Sequence, residues 1–105
     1  MYKIIYSNHF KKNFKNLDWK EKKDTRTYIF NVLKYRGDRV GKPLSYYFFR
    51  EKKIKSKRLY YLAYQDVRVI ILLDVSHKKQ QRDLINWAKK NLKKFRKIAL
   101  EQSNN

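Results

Sequence analysis

The sequence predicts a single α+β domain of order β-α-α-β-β-β-α, and three observations predict it. Alternating stretches rich in Tyr, Ile, Val and Phe open the chain and then fill most of residues 46–75. Helix-start signals stand at Ser7, Asp18 and Ser76, and an apolar stripe at helical spacing closes the chain. The 105 residues have room for one core of two or three layers and for no second domain. Residues 1–100 are read as that domain and residues 101–105 as a frayed polar tail.

Tyr2 to Tyr6 alternates as a first strand, with Tyr2, Ile4 and Tyr6 on one face. Ser7 then caps a short helix whose Phe10, Phe14 and Leu17 form a stripe at i, i+4 and i+7, with lysines on the outer face. Asp18-Trp19-Lys20-Glu21 has the D-x-x-E form of a capping box and starts a second helix. Thr25, Ile29, Val32 and Leu33 mark its inner face, and Gly37 suits its C-terminal stop. Both glycines and the only proline fall between Gly37 and Pro43, a loop. Tyr46 to Ile54, Lys57 to Tyr64 and Val67 to Val75 then read as an antiparallel meander turned at Lys55-Ser56 and Gln65-Asp66. Val69 to Leu73 is apolar on both faces, which suits a central strand covered on both sides. Ser76 is read as the cap of one last helix, whose Leu84, Ile85, Ala88, Leu92, Phe95 and Ala99 line one face.

The net charge of +19, from 28 Lys and Arg against 9 Asp and Glu, exceeds what solubility requires and implies a polyanionic partner. Residues 1–49 hold 12 basic and 4 acidic side chains and residues 50–105 hold 16 and 5, so the charge belongs to the folded body. With 42% apolar and 16% aromatic residues, a core forms despite that charge. The longest uncharged apolar run is too short to span a bilayer, so no membrane role is expected. Without cysteine there is no disulfide framework and no thiolate metal site, and no signal-peptide pattern opens the chain. The expected location is cytoplasmic.

Two stretches carry a specific resemblance. Gly41-Lys-Pro-Leu, Phe49-Arg-Glu-Lys-Lys-Ile and Lys57-Arg-Leu-Tyr-Tyr-Leu-Ala-Tyr together resemble the "G-x-P-L … R-x-Y-Y" core of RelE/ParE-type toxins. Val75-Ser-His-Lys-Lys is similar to that family's turn after its last sheet strand. The resemblance spans nearly the whole chain. It implies an antiparallel-rich RelE/ParE-like sheet with an N-terminal helical hairpin on one face and a basic C-terminal amphipathic helix. It also implies a toxin-antitoxin system, in which a small antitoxin with an acidic amphipathic segment neutralises a ribosome-dependent mRNA endoribonuclease of the RelE-like branch. Its partners would be mRNA, ribosomal RNA and the ribosome. The alternative is a non-catalytic RNA- or ribosome-binding member, or a gyrase-inhibiting ParE-like one.

Attack of a ribose 2′-hydroxyl on the neighbouring phosphate needs a proton acceptor, charge stabilisation and a proton for the leaving oxygen, and no metal or cofactor is expected. The resemblance places Arg58 at the family's catalytic arginine, whose fork of donors suits a phosphate. Arg50 and Lys52 alternate onto one face and are read with Arg58 either as a phosphate clamp or as solvated charges that protect an edge strand, with Lys53 turned the other way. His77 is read either as a general acid or base or as a capping or packing residue, with Lys79 beside it as a further catalytic cation. Glu51, the only acid between Asp38 and Asp66, stands either as a proton acceptor or as a partner for a lysine, and His9 is read as structural. Lys53, Lys57, Lys78, Arg82, Lys89, Lys90, Lys93 and Lys97 are the expected nucleic-acid contacts. Tyr46, Tyr47, Tyr60, Tyr61 and Tyr64 are either base-stacking or core residues; one face of the third meander segment must be buried, leaving Tyr60 and Tyr64 or else Tyr61 available.

Overall fold

A computed structural model describes residues 1–103. Strand β1 (Lys3–Tyr6) leads into helix α1 (Asn8–Phe14), where Ser7 accepts the Phe10 N–H at 3.1 Å as the expected cap. Helix α2 (Trp19–Tyr28) begins with the capping box complete: Glu21 N–H donates to the Asp18 carboxylate at 2.8 Å and Asp18 N–H to the Glu21 carboxylate at 3.1 Å. It continues through a π-helical turn, Ile29–Leu33, into α3 (Lys34–Arg36), and the chain reverses at Gly37, whose φ is +45°. A side chain at Gly37 would collide with the Tyr2 ring, so glycine is required there.

Strands β2 (Lys42–Pro43), β3 (Phe49–Ile54), β4 (Lys57–Tyr64) and β5 (Val69–His77) complete a five-stranded sheet of order β1-β5-β4-β3-β2. β1 pairs parallel to β5, and every other pairing is antiparallel. Sequence alternation had extended β3 back to Tyr46. Instead the Leu44 N–H donates to the Phe49 carbonyl at 2.8 Å and closes a loop that carries Tyr46 and Tyr47 off the sheet. β5 starts two residues later than expected, because Arg68 sits in the turn at φ +57°, and it runs on to His77.

The core has two layers, one on each face of the sheet. Phe10, Leu17, Ile29 and Leu33 pack with Leu59, Tyr61, Ile70 and Leu72 on the hairpin face. Leu84, Ala88, Phe95 and Ala99 pack with Phe49, Tyr60, Leu62 and Ile71 on the C-terminal face. Each large side chain so buried contributes about 1.5–3 kcal/mol. Because β4 is covered on both sides, Tyr60, Tyr61 and Tyr64 are all buried, and none of the three is free to stack on a base. Tyr46 and Tyr47 remain exposed.

The expected single last helix is two. Ser76 lies inside β5 and caps nothing; a 3-10 turn, Lys78–Gln80, intervenes before α4 (Gln81–Lys90). Asn91 then breaks the helix, its side chain donating to the Trp87 carbonyl at 2.8 Å in place of a continuing backbone bond. The apolar stripe resumes in α5 (Leu92–Ser103), so residues 101–103, expected to be frayed, are helical; 104 and 105 lie outside the described residues. Among the described residues, no helix is long and apolar enough to cross a membrane.

Candidate functional site

The C-terminal face of the sheet is apolar over most of its length and becomes polar at one end. The reason is register. The two-residue turn Lys55-Ser56 pairs Ile54 with Lys57, which sets Lys53 opposite Arg58 and Glu51 opposite Tyr60. On β5 a bulge between the Tyr60 and Tyr61 pairings leaves Leu73 as the extra residue, so Tyr61 faces Leu72 while Tyr60 faces Asp74. The bulge turns the end of β5 over: Val75 joins the hairpin-face core, and Asp74 and Ser76 come round to the C-terminal face. Two cross-strand rows result, Glu51-Tyr60-Asp74 and Lys53-Arg58-Ser76.

Within these rows Arg58 Nη1 lies 3.8 Å from Glu51 Oε1. The Gln81 amide, at the first position of α4, donates to Glu51 Oε2 and reaches the Tyr60 hydroxyl at 3.4 Å. Glu51 is thus buried beneath Gln81, Arg58 is partly open and Lys53 is exposed, so the site opens to solvent at its Lys53–Arg58 end. Burial raises the Tyr60 hydroxyl above its ordinary range, which keeps it a neutral donor. Asp74 is held from the other side: Asn13 Nδ2 donates to Oδ1 at 2.6 Å, and His9 Nε2 lies 3.6 Å from Oδ2 while its ring stacks on Trp87. That arrangement places His9 in packing.

The remaining predicted residues divide. Arg50 is not a free cation: Nε donates to the Val40 carbonyl at 2.6 Å, Nη1 to Tyr47 at 2.8 Å and Nη2 to Gly41 at 3.0 Å. It ties down the loop before β3, and the clamp expected of Arg50, Lys52 and Arg58 does not assemble. Lys52 points to the hairpin face, its ammonium 5.4 Å from the Tyr28 ring centre. An open hollow of about 570 Å³ follows the β3 edge beyond the short β2, and Lys52 still lines it with Arg39, Lys42, Lys53 and Arg58.

His77 stands opposite Lys57 at the end of β5, on the side away from Arg58; the Lys57 ammonium turns to Glu21 on the hairpin face at 3.1 Å. The pairing register separates His77 from the site, and Lys57 is committed to an ion pair. Lys78, Lys79 and Arg82 are exposed on the turn and first residues before and within α4. Lys89, Lys90, Lys93 and Lys97 are exposed on α4 and α5. Gln81 escaped sequence reasoning, as did Ser76 in this role, and Tyr60, read as a stacking or core residue, was not placed beside Glu51. The tight Lys55-Ser56 turn was the signal that would have paired Lys53, rather than Lys52, with Arg58. Among the described residues, no cluster of three His, Cys, Asp or Glu side chains is placed to hold a metal ion.

No protein-family model and no curated protein matches the chain. A solved structure does: a chain of the toxin-antitoxin complex RelBE2 from Mycobacterium tuberculosis superposes with a TM-score of 0.64 at 20% identity, covering 73% of this chain and 98% of that one. The fold is RelE-like. In this RelE-like fold the two polar rows lie on the sheet face beneath the C-terminal helices, at the end where α4 begins.

Proposed function

We propose that the protein is the toxin of a toxin-antitoxin pair, and that it cleaves mRNA on the ribosome without a metal. The observation that carries this reading is the Arg58–Glu51 pair at 3.8 Å on the polar rows, beside a hollow lined by four further cations. A phosphodiester drawn into that hollow meets the Arg58 guanidinium, whose planar fork matches two phosphate oxygens and stabilises the added charge of the pentavalent species. Glu51 Oε1 is the proton acceptor for the attacking 2′-hydroxyl, because its other oxygen is already held by Gln81. Lys53, exposed on the same row, supplies a proton to the leaving 5′-oxygen. The ribosome contributes orientation of the message, and the exposed lysines of α4 and α5 contribute contacts to ribosomal RNA phosphates.

The partner fits the charge. A small antitoxin with an acidic amphipathic segment complements a chain of net charge +19, and RelBE2 is itself a toxin-antitoxin complex. The turning of His77 away from the site favours a second reading, a non-catalytic ribosome-binding or gyrase-inhibiting protein on the same fold. Purified protein incubated with programmed ribosomes separates the two. Transcripts with 2′,3′-cyclic phosphate ends, lost in Arg58→Ala, are the expected result; ribosome binding without scission would overturn the ribonuclease.

A further inference from the structure

Ser76 is the one buried residue of the two polar rows whose side chain has no hydrogen-bond or ion-pair partner among the described residues. It is 6% exposed, and its Oγ is fully buried with no hydrogen-bond partner among the described residues. Leaving a buried hydroxyl unsatisfied is costly, and folded proteins rarely tolerate it without a use for the group. Ser76 stands directly opposite Arg58, in the same cross-strand row as Lys53, and only the Leu73 bulge brings it there. Without that bulge its hydroxyl would lie on the hairpin face with Ile70 and Leu72. Neither the Lys78–Gln80 turn nor α4 begins with a side-chain cap, so the Ser76 hydroxyl is not engaged in capping either.

We infer that Ser76 Oγ is a phosphate ligand, the neutral hydroxyl donor that completes a site whose charged donors are Arg58 and Lys53. A guanidinium, an ammonium and a hydroxyl stand in one cross-strand row on three adjacent strands, a set of donors that suits the oxygens of a tetrahedral or pentavalent phosphorus better than a carboxylate. Arg58 is able to turn toward it because its contact with Glu51 is long, at 3.8 Å. The inference shares its site with the proposed ribonuclease but requires only phosphate binding, not scission.

The test uses the full chain, inorganic phosphate and a 2′-O-methyl oligoribonucleotide that cannot be cleaved. In nitrogen-edited NMR, phosphate should shift the Ser76 amide and the Arg58 side-chain N–H saturably. Ser76→Ala should bind the oligonucleotide about tenfold more weakly, the loss of one hydrogen bond to a charged group, and Ser76→Thr should recover most of it. Ser76→Ala should also melt at a higher temperature than the parent, since an unsatisfied buried hydroxyl has been removed; a purely structural serine would lower it. Unchanged oligonucleotide affinity in Ser76→Ala, or phosphate shifts confined to the lysines of α4 and α5, would overturn the inference. Shifts at Ser76 in a protein that leaves ribosome-bound mRNA intact would sustain the phosphate site and overturn the ribonuclease instead.

Discussion

Lys53 stands directly opposite Arg58 across β3 and β4, and this pairing, rather than the alternation of Arg50 with Lys52, gathers the cations of the site. Arg58→Ala should therefore abolish growth arrest while leaving the melting temperature within a few degrees of the parent, because the side chain is partly exposed and packs no core. Arg50→Ala should do the reverse. Loss of its three carbonyl contacts costs roughly 1.5–3 kcal/mol per well-made charged hydrogen bond at most, and less in sum, since such effects are not additive. Thermal melting and induced-expression growth curves of the two variants distinguish a site residue from a loop anchor.

Glu51→Gln keeps the shape of the side chain and removes the proton acceptor. Scission should fall by at least a hundredfold, the usual range for a general base, while affinity for uncleavable RNA stays the same or rises as negative charge leaves the site. If instead the variant cleaves at the parent rate, Glu51 serves only to hold Arg58 and Gln81.

Salt should weaken RNA binding steeply. Each phosphate contact released contributes about 0.7 to the slope of log affinity against log salt for single strands. Lys53→Ala should lower that slope by roughly one contact, whereas Lys57→Ala, already paired with Glu21, should leave it unchanged and destabilise the fold instead. Equal slopes for the parent and Lys53→Ala would remove Lys53 from the interface.

Acid should unfold the protein partly through Asp38. Its buried carboxylate accepts the Tyr2 hydroxyl at 2.6 Å and the Tyr47 hydroxyl at 3.3 Å, and the Tyr2 bond above all holds its pKa below the ordinary aspartate value. A depressed carboxylate contributes stability that is present above its unfolded pKa and is lost as pH falls through the folded one. Tyr2→Phe should cost about 1–2 kcal/mol near neutrality and flatten the acid limb of the stability curve. Denaturant melts of both proteins between pH 2 and 7 provide the comparison.

Much of the architecture was legible in the chain because it rests on local rules. Ser7 and the Asp18/Glu21 box marked the helix starts, and the apolar stripe from Leu84 to Ala99 marked the C-terminal layer. The doubly apolar Val69–Leu73 marked the central strand, and the strand limits of β4 matched residue for residue. The candidate site was less legible, although the resemblance singled out Arg58 as an expectation. Alternation along one strand shows which residues share a face of that strand, but not which residues of the next strand join them.

By itself, then, the sequence determined the α+β order, the two-faced core, the excess of cations and the placement of Arg58 on a strand. Only the tertiary structure decided that Arg50 is consumed by the carbonyls of Val40, Gly41 and Tyr47, and that His77 faces away. It alone decided that Glu51, Lys53 and Ser76 surround Arg58. The physical reason is that side-chain direction in a sheet has a period of two, so a single extra residue such as Leu73 reverses everything beyond it. That residue has no mark in the sequence, because a leucine fits a bulge in a buried strand as well as it fits a regular pair.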